Sequence, residues 1–196
     1  TATTAAPVSD FSLKAPGASE LEPCTVAGQN PCLPANVVNT ITSYSQTSPD
    51  QVVFGYNFAG IAQANSWGGT LINFGDTASA QYDATNGLVL GLSATGTTRL
   101  RVDIEDGAGK KATMYVTVSG TMAKYLITVA NMDASAGPSF DQAHIKSIAV
   151  VSDDDTLRDV VSGTVTVNTQ GLFNPISVTA TTAAPVSDFS LKAPGA

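Results

Sequence analysis

The 196-residue chain carries nine basic side chains against sixteen acidic ones, giving a formal charge of −7 and a pI near 4.4. That balance makes nucleic acid and anionic membranes poor partners, since both require a clustered basic surface, and no run approaches the ~18 apolar residues of a membrane helix. The chain is 43% hydrophobic but only 13% charged, against about 25% charged in ordinary soluble domains; Thr, Ser, Asn and Gly fill the gap, a composition that suits a secreted β-protein at the cell surface or outside the cell.

Residues Thr1–Ala18 (TATTAAPVSDFSLKAPGA) return without a change as Thr179–Ala196. Such identity points to a tandem array with a 178-residue period, of which the chain holds one unit and the start of the next. A cloning scar, or an overlap marking a joint between subunits of an assembly, are the competing explanations. Any export signal is expected upstream of Thr1.

In chain order, residues 1–7 and 179–185 read as linker, with no apolar periodicity and with Pro and Thr favouring extended backbone. Thr1, Thr3 and Thr4, and their copies Thr179, Thr181 and Thr182, are candidates for O-linked sugar; a bare tether is the alternative, and no Asn-x-Ser/Thr sequon occurs. In VSDFSLKA (8–15), Phe11 and Leu13 alternate with polar residues, the period-2 pattern of a half-buried strand, and Pro16-Gly17 ends it. With 1–18 and 179–196 as linker and short strand, residues 19–50 read as an irregular lead-in and 51–178 as the folded domain.

Within the lead-in, Cys24 and Cys32 bracket a turn-rich loop and are well placed for a disulfide in an oxidising compartment, free thiols being the alternative. Closing so short a loop would contribute about 2–3 kcal/mol.

From Gln51 onward, eight strands are expected at 52–58, 68–74, 87–92, 97–106, 110–119, 124–131, 144–152 and 163–169, separated by turn residues: an all-β antiparallel sandwich of the jelly-roll type. The hairpin around Gly107-Ala108-Gly109 fixes its own register. Leu100, Val102 and Ile104, with Ala112, Met114, Val116 and Val118 across the turn, form one face; a one-residue slip would drive four charges into the core. The one expected helix is a turn or two at 154–161, capped by Asp154 or Asp155.

The segments WGGTLINFG (67–75), GLVLGLSATGTTRLRVDIEDGAGKKATMYVTVSG (87–120), KYLITVANMD (124–133) and FDQAHIKSIAVVSD (140–153), with the closing GTVTVN strand, resemble galactose-binding-like β-jelly rolls, the fold of many carbohydrate-binding modules. The resemblance covers roughly Gln51–Gln170. It implies the sandwich and, as an expectation only, a glycan partner; Asn168-Thr169-Gln170 replaces the acidic residues that often follow the closing strand of that family.

Candidate sites follow. The outer face of the long hairpin gathers Arg99, Arg101, Asp103, Thr113 and Tyr115, where a Tyr ring could stack on a pyranose; a solvated face with weak cross-strand ion pairs, or contact with a neighbouring module, are the alternatives. Trp67 is expected to fold over the core from a tight bend at Gly68-Gly69. Asp153–Asp155 with Asp133 and Asp141 raise calcium, which takes six to eight oxygens, though no spaced calcium loop is present and no other metal or cofactor is expected. His144 stands alone and no nucleophile motif appears, so the chain reads as a non-enzyme.

Two functions are expected from this. The first is a structural, adhesion-type repeat unit of an extracellular fibre, stalk or surface filament, its modules joined through Phe11 and Leu13 and their copies Phe189 and Leu191. The partners would then be neighbouring copies of the same module. The alternative is a glycan-binding module whose repetition raises avidity.

Overall fold

The computed structural model describes residues 11–15, 18–21, 40–78, 80–134, 139–154, 159–173 and 181–182. They form two packed β-sheets. Among the described residues thirteen strands occur in chain order: β1 Phe11–Ala15, β2 Ala18–Leu21, β3 Ile41–Ser48, β4 Gln51–Asn57, β5 Trp67–Asn73, β6 Leu88–Thr95, β7 Arg99–Asp106, β8 Lys111–Thr117, β9 Ala123–Ile127, β10 Asp133–Ala134, β11 Ile145–Asp153, β12 Ser162–Asn168 and β13 Thr181–Thr182. One sheet runs β10-β8-β7-β11-β5-β1-β2 and the other β13-β9-β6-β12-β4-β3. All pairings are antiparallel except the short β13 on β9. The chain is an all-β sandwich.

The alternation read in the sequence explains the core. In the hairpin β7–β8, Val102 stands opposite Met114 and Ile104 opposite Ala112, all buried. Facing them, Leu88, Leu90 and Leu92 of β6 and Val165 and Val167 of β12 fill the second sheet's inner surface in one continuous cluster. Burial of a single such side chain contributes about 1.5–3 kcal/mol, so the hairpin's register is held by the whole row. Its turn is tied by Asp106, fully buried, whose carboxylate accepts N–H bonds from Ala108, Lys110 and Asp141. Gly109 takes φ +80°, where a side chain would be strained.

All eight expected strands of the domain are present, and the structure adds others. Strand β3 lies inside the region read as irregular: ITSYSQTS has too many polar residues to signal a buried strand, but edge pairing with β4 needs only Ile41 and Tyr44 to point inward. The expected helix at 154–161 is corrected for its described members. Residues 154 and 159–161 are not helical, and the buried Asp154 instead accepts the N–H of Val160, six positions on. Among the described residues the α-helix is a single turn, α1 Gln170–Phe173. Trp67 opens β5, and Gly68 and Gly69 lie within that strand, not at a bend. They are glycines because neighbours crowd them: a Cβ on Gly68 would sit 2.5 Å from the Ile41 side chain, and one on Gly69 would sit 2.0 Å from the Val150 carbonyl oxygen.

Candidate functional site

Two places in the sandwich gather the residues singled out in the sequence. The first is the position of β1, inside the seven-stranded sheet between β5 and β2. Phe11 stands opposite Ile72, Ser12 opposite Leu71, Leu13 opposite Thr70 and Lys14 opposite Gly69. Phe11 has no exposed surface and joins the main core; Ala15 is also buried. A polar clasp secures the strand from beneath: Thr70 Oγ1 donates to the Ser12 carbonyl at 3.3 Å and shares a 2.6 Å hydrogen bond with the Tyr44 hydroxyl. Nothing in the local sequence near Thr70 announces this role; it arises because β3 and β5 meet over β1. Phe189, Leu191, Cys24, Cys32, Thr1, Thr3, Thr4 and Thr179 lie outside the described residues. Thr181 and Thr182 form β13, paired in parallel with Tyr125 and Leu126 at the edge of the second sheet.

The second place is the outer face of the seven-stranded sheet. The pleat aligns Tyr115, Arg101, Val151 and Gly69 in one row, and Thr113, Asp103, Ala149 and Leu71 in the next. Here the expected sugar platform is corrected. Tyr115 is buried, 6% exposed, and its hydroxyl donates to Asp153 Oδ2 at 2.8 Å, so its ring is not open for stacking. Arg101 donates to the same Asp153 oxygen at 2.6 Å and, through Nε, to Asp103 at 3.1 Å, while Thr113 Oγ1 donates to the other Asp103 oxygen. Arg99 is likewise buried and forms a two-point pair with Asp159. Five polar side chains thus satisfy one another, because unpaired charges at this depth would cost several kcal/mol.

The electrostatics follow from that packing. Burial pushes the Arg101 guanidinium down, but Asp103 and Asp153 more than offset this and hold it above its ordinary value. Burial pushes the Asp153 carboxyl up, and Arg101 and the Tyr115 hydroxyl offset this only in part. The Tyr115 phenol is raised by burial and then by the Asp153 charge. Asp153 is the hub of this network, whereas the sequence raised it only as a calcium candidate. Its outward phase was legible, two residues after Val151 in an alternating strand.

Beside this network Trp67 packs on Leu71, Ala149 and Val151 in a small apolar cluster on the outer face, separate from the main core. The Trp67 ring is half-buried there, which corrects the expectation that it covers the core. The other acidic residues disperse. Asp141 accepts from His144 Nδ1 at 2.9 Å, and that hydrogen bond holds its carboxyl below the usual range. Asp154 holds the Val160 loop, and Asp155 lies outside the described residues. Among the described residues no group of three or more His, Cys, Asp or Glu side chains converges on a cation position.

No protein-family model and no curated protein matches this sequence. Among solved structures the chain is similar to an exo-β-agarase, with a TM-score of 0.44 and 13% identity over 61% of this chain and 19% of that one. It is similar also to the agarase AgWH50C (TM-score 0.46, 8% identity, 66% and 22% of the two chains) and to PfGH50B (0.43, 14%, 69% and 23%). The chain therefore spans about a fifth of the length of each of these proteins.

Proposed function

We propose that the chain is a non-catalytic structural module of an extracellular fibre, stalk or surface filament, in which copies are joined head to tail through the repeated VSDFSL strand. One observation carries this reading: the first copy of the repeated segment supplies an interior strand of the sandwich, with Phe11 wholly in the core, and the second copy carries the same residues. A segment that fills a core position and is issued twice per chain has the chemistry of a connector. Burying its Phe contributes about 1.5–3 kcal/mol before entropy is subtracted. That is enough to order a joint. Secretion is the setting that the low charge and the turn-rich Cys24–Cys32 loop fit.

Electron microscopy of the native protein, with intact mass on the same sample, tests the reading. Filaments with one module per axial step are expected; separate globules at all concentrations overturn it. In that event the second reading, glycan binding, takes its place. It draws on Trp67 lying on the same sheet face as Arg101, Asp103 and Asp153, the pairing of aromatic surface with hydrogen-bonding groups that sugar recognition uses.

A further inference from the structure

We infer that residues 189–193, the second copy of β1, complete the seven-stranded sheet of a second copy of this chain and are barred from completing their own. The inference rests on the connector reading above and adds to it a partner and a direction.

The position of β13 supplies the first argument. Thr181 and Thr182 are held against β9 at one edge of the six-stranded sheet, whereas the β1 position lies under the opposite end, where β3 touches β1 and β4 touches β5. From β13 to β3 is five strand spacings, about 24 Å at 4.8 Å each, and the two sheets are separated by about 10 Å. Even a straight line through the core is then about 26 Å. The seven residue steps from Thr182 to Phe189 span at most about 25 Å when fully extended, and the straight line is filled by the core. A path over the surface is longer still. In every copy the β1 position is held by its own Phe11, so an incoming strand enters a second copy by exchange.

The second argument is identity. Because 189–193 repeats 11–15 residue for residue, it fits an acceptor in the same register, Phe189 opposite Ile72 and Leu191 opposite Thr70, with Thr70 donating to the Ser190 carbonyl. Exchange of one copy for the other changes no side-chain contact. Concentration and tether length alone therefore decide which copy occupies a given sheet. Donor and acceptor are different surfaces, so the contact is heterologous and propagates as an open chain of modules. The six residues 183–188 are all that separates the strand held by one module from the strand given to the next, which keeps successive modules close.

The test uses the full chain with Phe11→Asp, Phe189→Asp and the double substitution, each followed by light scattering after size exclusion and by thermal unfolding at low and high concentration. Phe11→Asp is expected to vacate the acceptor, so its mass grows in multiples of 19.9 kDa and its Tm climbs with concentration. Phe189→Asp is expected to be monomeric with a Tm that does not vary with concentration, and the double variant to be monomeric with the lowest Tm throughout. Should Phe11→Asp prove too disruptive to fold, Phe11→Ala reports the same ordering in milder form. A monomeric Phe11 variant with wild-type Tm would mean that the chain's own second copy reaches the site, and one with the Tm of the double variant that the second copy fills no sheet; either overturns the inference. Assembly that persists in the double variant overturns both the inference and the VSDFSL joint, leaving only a filament-forming role through another joint, whereas a double variant that is monomeric beside a Phe11 variant that refills its own sheet overturns the inference alone.

Discussion

The β7–β8–β11 side of the seven-stranded sheet and its β1 side show the core the same pleated surface, but they are held in place by different means. On the first side, a hairpin with a two-residue alternation sets its own register, and the outer face is locked by the Arg101–Asp103–Asp153–Tyr115 network. On the second, a five-residue strand arrives from a distant part of the chain, 58 residues from the Thr70 hydroxyl that clasps it. Among its described side chains Phe11 and Ala15 enter the core, and the Thr70 hydroxyl donates to the Ser12 carbonyl beyond the ladder. The comparison teaches that a sheet can be specified locally at its centre and left open to supply from elsewhere at its flank. The first side is held by contacts within contiguous chain, the second by contacts across 58 residues.

Three measurements would break or sharpen that contrast. The largest effect is expected from Phe11→Ala: removing a fully buried aromatic side chain costs about 3–5 kcal/mol, read as a lower denaturant midpoint at low protein concentration. A loss under about 1 kcal/mol would mean that β1 is not part of the stable sheet. Next comes Asp153→Ala, which strips Arg101 and Tyr115 of their shared acceptor. Breaking a fully buried ion pair costs about 3–5 kcal/mol, but Asp103 remains beside Arg101, so about 2 kcal/mol is expected in urea unfolding. This loss should not vary with protein concentration, unlike that of the Phe11 variants. Concentration dependence here would erase the distinction between the two sides.

The smallest effect concerns pH. Hydrogen bonding to Arg99 holds the Asp159 carboxyl below its ordinary value. Its contribution is therefore present above the unfolded-state pKa and is lost as the pH falls through the folded one. Asp153 has the opposite sign: raised by burial, it favours the folded state below the unfolded pKa, and that contribution is lost as the pH rises. Because Asp159 is about half exposed, its share is at most about 0.5 kcal/mol. Asp159→Asn should flatten the acid limb of a stability–pH curve by that amount, and Asp153→Asn should change the limb in the other direction. Identical changes from both would contradict the assigned environments.

Much of the sandwich was legible in the residues because period-2 alternation is a local signal. Leu100, Val102 and Ile104 against Arg101, Asp103 and Glu105 dictate a face and a register whatever they pack on. The same locality explains the misses. Strand β3 has only two inward anchors in eight residues, and its identity as a strand comes from β4 beside it. Tyr115 and Arg99 were assigned outward correctly, but burial on the outer face depends on neighbours that no strand records in its own sequence.

What the sequence determined by itself was therefore the class of fold, the register of the central hairpin, and the presence of two identical end segments. These follow from side-chain alternation and from literal repetition, which need no partner to be read. What only the tertiary structure decided was where the first copy goes, into the interior of the seven-stranded sheet beside Ile72 and Thr70, and that Asp153 draws Arg101 and Tyr115 into a closed network. The reason is physical. A strand's neighbours and a buried charge's partners are set by contacts between residues tens of positions apart, and the free energy of those contacts exists only once both sheets have closed on their common core.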